Sequence, residues 1–471
     1  MHFSVTSRWF PVVLIYVAFS GCAAYQARPL PAGPDLASSA TSTQTTATVP
    51  SRLDLRQAAE LAVMHDPDLA AARAQVKVAQ AEAYNAGLLP DPTLALSLDH
   101  PFNGGVPSDH HNAWSANLAE DLIALITRGD LHSATTAHYA ETLLSWRWQA
   151  EQVALKARLT YLDAWSAMRE VQNLQAENQA AQAVLAGALK AHAAGALAAV
   201  LYQQALTQAA SVRSRLQNAA DREVQAESTL ATLLRVQAGQ PWQLEAPALT
   251  AAPAATTVNA ALADLPSRRL DLLALQAGYR SADAKLRADI LAQFPILNIG
   301  FTRSRDNTGV NSIGFGITLR LPIFNGNRGQ IAIDRATREA LNAAYQAHLD
   351  SAANDARAGF ERLQLARREL IGVNRELPAL EQAAHAADEA LAHADMTRFD
   401  AFAIRSAWLD ARINADQLRA NAAQLAFTLQ TLLALPAAPA STSGMPQTAI
   451  GNTKSNAAGA CAPRFTEGNS P

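Results

Sequence analysis

The sequence predicts a mainly α fold with a small antiparallel β part, built from two tandem copies of a helix, hairpin, long helix and returning helix. Three observations predict it. The chain repeats itself: Asp68-Leu69 with Pro92 recurs about 200 residues later as Asp271-Leu272 with Pro295, and Arg128-Gly129 recurs as Arg328-Gly329. Two stretches without glycine-rich or proline-rich interruption are far longer than a globular helix. Four short segments alternate strictly between apolar and polar residues. A repeated unit cannot bury its own apolar face alone, so the fold is a property of an assembly.

The 471 residues are 49% apolar, 17% charged and only 6% aromatic. Such a chain is neither disordered nor a typical soluble globule, and its Ala-rich helices pack closely around thin cores. The net charge of −3 leaves no polybasic field, so no nucleic-acid partner is expected. The two cysteines, Cys22 and Cys461, stand at opposite ends and belong to no metal-ligand array.

Residues 1–22 read as an export signal: Arg8 precedes an apolar run from Trp9 to Phe19, and Ser20-Gly21-Cys22 follows. Ser-Gly-Cys resembles the lipobox of bacterial lipoproteins, which implies acylation at Cys22, although Phe19 stands where leucine is usual. The alternative is ordinary cleavage near Ala23. Residues 23–52, rich in Pro, Ser, Thr and Ala, read as a flexible tether, 239–257 as a linker and 436–471 as a disordered tail. Two repeats, 53–238 and 258–435, lie between them. No other run is long and apolar enough for a spanning helix, so a membrane crossing would have to use strands.

In the first hairpin, about 92–125, Leu94, Leu96 and Leu98 alternate with Ala95 and Ser97, and Trp114, Ala116 and Leu118 alternate with Ser115 and Asn117. In the second, about 295–324, Leu297, Ile299 and Phe301 share one face; Ile313, Phe315, Ile317, Leu319, Leu321 and Ile323 share another. A period of two with a polar or small second face means a sheet that is apolar on one side only. In a soluble protein that side would rest on helices; in a bilayer it would meet acyl chains, provided the sheet closes into a barrel. Asn311 to Leu321 has the length a tilted spanning strand needs. Four strands cannot close a barrel in one chain, so spanning strands require an obligate oligomer.

The stretch from Arg128 to about Lys190, at 1.5 Å per residue, would be a helix ~95 Å long. The second copy repeats it from Asn327 to about Ala392. Each returns, after a short irregular stretch, as a shorter helix: Ala199 to about Val236, and Phe399 to about Leu435. A single helix is expected from Val258 to Ile290. Two short helices stacked end to end would then match one long one.

These elements closely resemble the TolC-like outer-membrane efflux protein family, which includes the lipidated outer-membrane factors of RND-type pumps. The resemblance spans about Leu53 to Leu435. It is carried by Ala62-Val63-Met64-His65-Asp66-Pro67-Asp68-Leu69, by Pro92 and Pro295 opening each hairpin, and by Leu321-Pro322-Ile323-Phe324-Asn325-Gly326-Asn327-Arg328-Gly329 leaving the second. The family's architecture is then implied: a homotrimer with an α-helical tunnel through the periplasm and a twelve-stranded barrel in the outer membrane. Its partners are a periplasmic adaptor, an inner-membrane pump of RND type and outer-membrane lipid. By the same resemblance, Gly195, Ala196 and Leu197 with Met396 and Thr397 form the periplasmic tip that meets the adaptor. Asp395 stands level with Gly195, and Asp395, Arg398 and Asp400 are gate candidates, Arg398 tethering Asp400. An N-terminal capping role for Asp400 is the alternative.

No nucleophile elbow, Walker loop or HExxH is present, so no catalytic residue, metal site or cofactor is expected beyond acyl and diacylglyceryl groups on Cys22. His110, His111, His132 and His138 read as solvated, and Glu120-Asp121 as a solvated pair or a helix start. The function expected is a passive conduit for small molecules or ions; the alternative is a lipid-anchored periplasmic scaffold without a pore.

Overall fold

The computed structural model describes residues 52–102, 111–236, 242–249 and 251–435, together with Ala27 and Leu30. The signal segment with Cys22, most of the tether, the first hairpin loop with His110, and the tail with Cys461 lie outside the described residues.

The chain enters through a two-residue strand β1 (Arg52–Leu53) and helices α1 (Leu55–His65) and α2 (Pro67–Gly87). Asp54 and Gln57 form a reciprocal capping box at the start of α1. Asp66 accepts from the Leu69 amide at 2.8 Å, and Pro67 occupies the first turn of α2. That explains the Asp-Pro-Asp-Leu string: an N-cap followed by a residue whose missing N–H costs nothing there. Strands β2 (Thr93–Asp99) and β3 (Ala113–Asp121) make the first hairpin.

Helix α3 (Leu122–Ala193) follows β3 without a break and runs 72 residues, ~108 Å at 1.5 Å per residue. It starts earlier than the sequence expectation of Arg128. The reason is Asp121, whose carboxylate accepts from the Ile123 amide at 3.0 Å; the Glu120-Asp121 pair is a helix start. After the first turn comes α4 (Ala199–Leu234), then β4 (Gln243–Leu244), which pairs in parallel with β1.

The helix expected from Val258 to Ile290 is three pieces: α5 (Ala255–Ala263), α6 (Leu265–Arg268) and α7 (Leu270–Leu291). Pro266 sits in the first turn of α6, and Arg269 takes extended backbone angles (φ −80°, ψ 122°), so the helix cannot run through. Strands β5 (Ile296–Arg305) and β6 (Asn311–Arg320) lead to α8 (Arg328–Ala392) and α9 (Arg398–Leu432). In the connection, Gly326 (φ 52°) and Asn327 (φ 56°) are successive left-handed residues, and the Asn327 side-chain Nδ2 donates to the Asp289 carbonyl at 2.8 Å. Glycine and asparagine tolerate that conformation best, which accounts for the Asn-Gly-Asn string.

Helix α3 packs against α2, α4, α7 and α9; α8 packs against α7 and α9. Short helices α7 and α9 thus each contact both long helices. The largest core gathers where β1 and β4 cross the helices: Leu53, Leu61, Tyr161, Leu162, Trp165, Leu230, Leu234 and Leu244. The Tyr161 hydroxyl lies 2.7 Å from the Leu53 carbonyl and 2.9 Å from that of Glu245, pinning both short strands to α3. Its burial pushes the phenol well above its ordinary pKa. Elsewhere alanines dominate the contacts, with Ala157, Ala219, Ala356 and Ala422 fully buried.

At the head of α7, the buried Arg269 guanidinium grips the Asp271 carboxylate at 2.9 Å, and His348 on α8 lies 2.9 Å from the same group. Arg269 also sits over the Trp148 ring, 5.1 Å from its centroid. Burial alone would raise the Asp271 pKa, but the Arg269 hydrogen bonds and charge outweigh it and hold it below the ordinary carboxylate value.

Candidate functional site

The four longer strands form one antiparallel sheet in the order β2-β3-β5-β6. Its central seam joins the two halves of the chain, from Trp114 opposite Arg305 to Asp121 opposite Asn298. The outer strands, β2 and β6, have no further partner among the described residues.

Register places Leu94, Leu118, Phe301 and Phe315 in one row across all four strands. Leu96, Ala116, Arg303 and Ile313 form the next row toward the hairpin loops. The large side chains of this face stand open: Leu118 is 50% exposed, Phe315 69%, and Leu96 and Ile313 72%. A row of large apolar groups left open in this way is far beyond the scattered exposure of an ordinary surface.

The opposite face is small and polar. Ser97, Ser115, Ser304 and Ser312 form one row, in which the Ser97 and Ser115 hydroxyls are 2.8 Å apart. Ala95, Asn117, Thr302 and Gly314 form the next, and Asn117 donates to the Thr302 hydroxyl at 2.7 Å. Hydroxyls and amides satisfy one another across the strands, and the glycines keep that side shallow.

At the other end of the long helices lie the two turns. In the first, Gly195 is left-handed (φ 74°), and the Ala196 amide donates to the Ala191 carbonyl at 2.8 Å. This is a Schellman closure, which favours glycine at that position. His192 stacks on Tyr202 with ring centroids 5.2 Å apart and contacts the Leu197 carbonyl through Nδ1 at 2.9 Å.

In the second turn the left-handed residue is Ala394 (φ 62°), and the Asp395 amide closes onto Ala390 at 2.9 Å. Gly195 is therefore level with Ala394, and Asp395 with Ala196, a correction of one residue to the sequence alignment. The identity match of two polar turns had no way to locate the residue with positive φ. Thr397 caps α9: its oxygen accepts from the Asp400 amide at 3.2 Å and its hydroxyl donates to the Asp400 carboxylate at 2.6 Å. The N-cap is therefore Thr397 and not Asp400, which sits in the first turn of α9.

Arg398 does not tether Asp400, because its aliphatic stem is laid along α3 against Gly187. Among the described residues no ion pair joins Arg398 to Asp395 or Asp400. Met396 is half-buried, whereas Asp395, Thr397, Arg398 and Asp400 are exposed. The turns abut: Phe402, with Phe399 beside it, enters the cluster of Ala181, Val184, Ala188, Ala205 and Leu197 from the first half.

Sequence reasoning missed a polar cross-link further along the bundle. The Glu177 carboxylate on α3, only 2% exposed, accepts from Ser406 on α9 at 2.6 Å and meets Arg215 on α4 at 3.3 Å. Arg215 also binds Asp410. Burial opposes the guanidinium charge, but the carboxylates of Asp410 and Glu177 outweigh it and raise its pKa. One acidic residue in a long polar stretch carries no sequence signal that it is buried. His111, His132 and His138, read as solvated, are exposed. His132 packs over Gly87 with Nδ1 3.0 Å from the Ala83 carbonyl, and exposed His138 pairs with Glu141 at 3.1 Å.

Among the described residues, no cluster of His, Cys, Asp and Glu could hold a metal ion, and no helix is long and apolar enough to cross a membrane. The features together define a two-ended protein class: an edge-open, one-sided sheet at one end of a long helical bundle, with paired turns at the other.

No family model and no curated protein matches the sequence. Solved structures do. CusC, which forms a transmembrane channel, superposes with a TM-score of 0.65 at 17% identity, over 87% of this chain and 99% of that one. The outer-membrane channel CmeC of Campylobacter jejuni gives 0.65 at 14% identity, over 87% and 94%. The outer-membrane protein VceC of Vibrio cholerae gives 0.64 at 19% identity, over 80% and 95%. The likeness is one of fold. The chain has the mainly helical fold of these outer-membrane channels, in line with its resemblance to the TolC-like family.

Proposed function

We propose that the protein is the outer-membrane channel of a tripartite efflux system, a passive conduit that receives small molecules or ions from an inner-membrane pump and a periplasmic adaptor. The observation that carries this is the four-stranded sheet: apolar and uncovered on one face, small and polar on the other, unpaired at both edges. In lipid every backbone group must be paired, so β6 of one copy joins β2 of the next. Three copies close twelve strands, with hydroxyls and glycines lining the bore and the apolar rows turned to acyl chains.

The exposed Leu125, Ile126, Ile333 and Phe324 at the junction of bundle and sheet fit the same assembly, because neighbouring protomers would cover them. The turns at the far end, Gly195 to Leu197 and Met396 to Thr397, are the surface offered to the adaptor. Asp395 and Asp400, exposed near the end of a threefold tunnel, would gather as acidic rings that attract cations. Acylation of Cys22 would add an anchor in the outer membrane.

The test is direct. Outer-membrane fractions should contain a heat-modifiable trimer, and the purified trimer should give discrete single-channel conductance in a planar bilayer. A soluble monomer without conductance would instead indicate the helical scaffold.

A further inference from the structure

The lipid-facing side of the sheet is chemically asymmetric along the strands. Toward the helices, the row of Ile299 and Ile317 contains Glu120 and no cation. Toward the hairpin loops, the two end rows contain Arg303, between Ala116 and Ile313, and Arg305, between Trp114 and Asn311. Both arginines therefore project from the same side as Leu96, Phe301 and Phe315. Among the described residues no ion pair joins either to a carboxylate; Arg305 Nε is buried without a hydrogen-bond partner, and its Nη2 lies at Gly309 beside the His111 ring. The nearby Asp306 is turned into the hairpin, where it accepts from the Thr308 and Val310 amides at 2.9 Å and from the Thr308 hydroxyl at 2.8 Å.

The rows also have the right height. From Ile313, opposite Arg303, to Leu321 is eight residues, ~26 Å along a strand and ~20 Å along the membrane normal at a tilt of about 40°. The exposed Ile323 and Phe324 continue the apolar surface beyond that. Arg303 and Arg305 then stand at the outer boundary of the hydrocarbon, next to Trp114, an amphipathic ring suited to that boundary.

We propose that Arg303 and Arg305 form, on each protomer, a binding site for the phosphate groups of a phosphorylated lipid in the outer leaflet. The inference rests on the channel reading above. A guanidinium fork matches a phosphate bidentately, and two such forks per protomer complement a lipid carrying two phosphates. Charge asymmetry across the sheet then favours one insertion direction over its reverse.

The test uses the full-length purified trimer in nanodiscs of phosphatidylcholine containing a small fraction of bis-phosphorylated lipid A or of the same lipid dephosphorylated. Lipid retained through a detergent wash is counted by native mass spectrometry. The phosphorylated form should be retained and the dephosphorylated form lost. The double variant Arg303→Gln/Arg305→Gln should lower retention by roughly tenfold or more, Arg303→Lys/Arg305→Lys should lie between, and Glu120→Gln should change nothing. Inorganic phosphate at the same concentration should not displace the lipid. Equal retention of both lipids, unchanged retention by the double Gln variant, or full displacement by inorganic phosphate would overturn the proposal. Trimer formation and conductance are measured on the same samples in lipid without phosphomonoesters. Their persistence in the double variant keeps the channel reading intact if the lipid site fails, whereas their absence from the unaltered protein removes both.

Discussion

Replacing Ile317 by arginine places a charge on the apolar face beside Ile299, midway along β6 between Ile313 and Leu321, at an exposed position. A charged side chain near the midplane of a spanning barrel costs about 2–4 kcal/mol. With one copy per protomer the penalty is threefold, about 6–12 kcal/mol for the trimer, comparable to the whole stability of an ordinary domain. The assay is the yield of heat-modifiable trimer in outer-membrane fractions, with the temperature at which it dissociates. Thr318→Arg is the matched control: it lies on the polar face opposite Asn298, introduces the same side chain and should be tolerated in a water-filled bore. An Ile317→Arg trimer as abundant and heat-resistant as the unaltered protein, or equal damage from Thr318→Arg, would refute the assignment of faces.

Asp271→Ala leaves the buried Arg269 charge without its partner and should cost about 3–5 kcal/mol in denaturant unfolding. Because the folded Asp271 pKa is held below 3.8, its contribution is present above that value and is lost as pH falls through the folded pKa, so an acid unfolding scan of Asp271→Asn should be flatter. Tyr161→Phe removes the hydroxyl shared by the Leu53 and Glu245 carbonyls and should cost about 1–2 kcal/mol. The raised folded pKa of Tyr161 also means that stability declines as pH climbs above 10.0, a decline that the Phe variant should lack at this site. Ala394→Gly should stabilise the second turn by about 1 kcal/mol and Gly195→Ala destabilise the first by a similar amount; Asp395→Gly should give no comparable gain. Thermal melts of the three variants decide whether the left-handed residue is correctly placed.

What the sequence made legible was whatever depends on period. Alternation identified all four strands and the polarity of both faces, because a side chain in a strand has only two directions. The long helices were visible as stretches without breakers. Boundaries set by single side chains were harder: Asp121 as a cap and Arg269 in an extended conformation each act through one local hydrogen bond or dihedral, with no periodic trace. The turns lay deeper still. Ala394 takes a conformation that its residue type disfavours, so no composition rule points to it. Arg398 found a helix surface, not a carboxylate, because its stem gains contact along Gly187. The buried Glu177 likewise depends on which helices meet, information that is not held in either helix alone.

The seam between β3 and β5 unites segments far apart in the chain: Asn117 bonds Thr302, 185 positions further on. Neither hairpin can find the other until the rods between them have folded and turned back, since the entropy of closing so long a loop must be met first. The greasy sheet is therefore the last part of the chain to assemble. Chain order delays the most exposed apolar element until the rest of the molecule has formed.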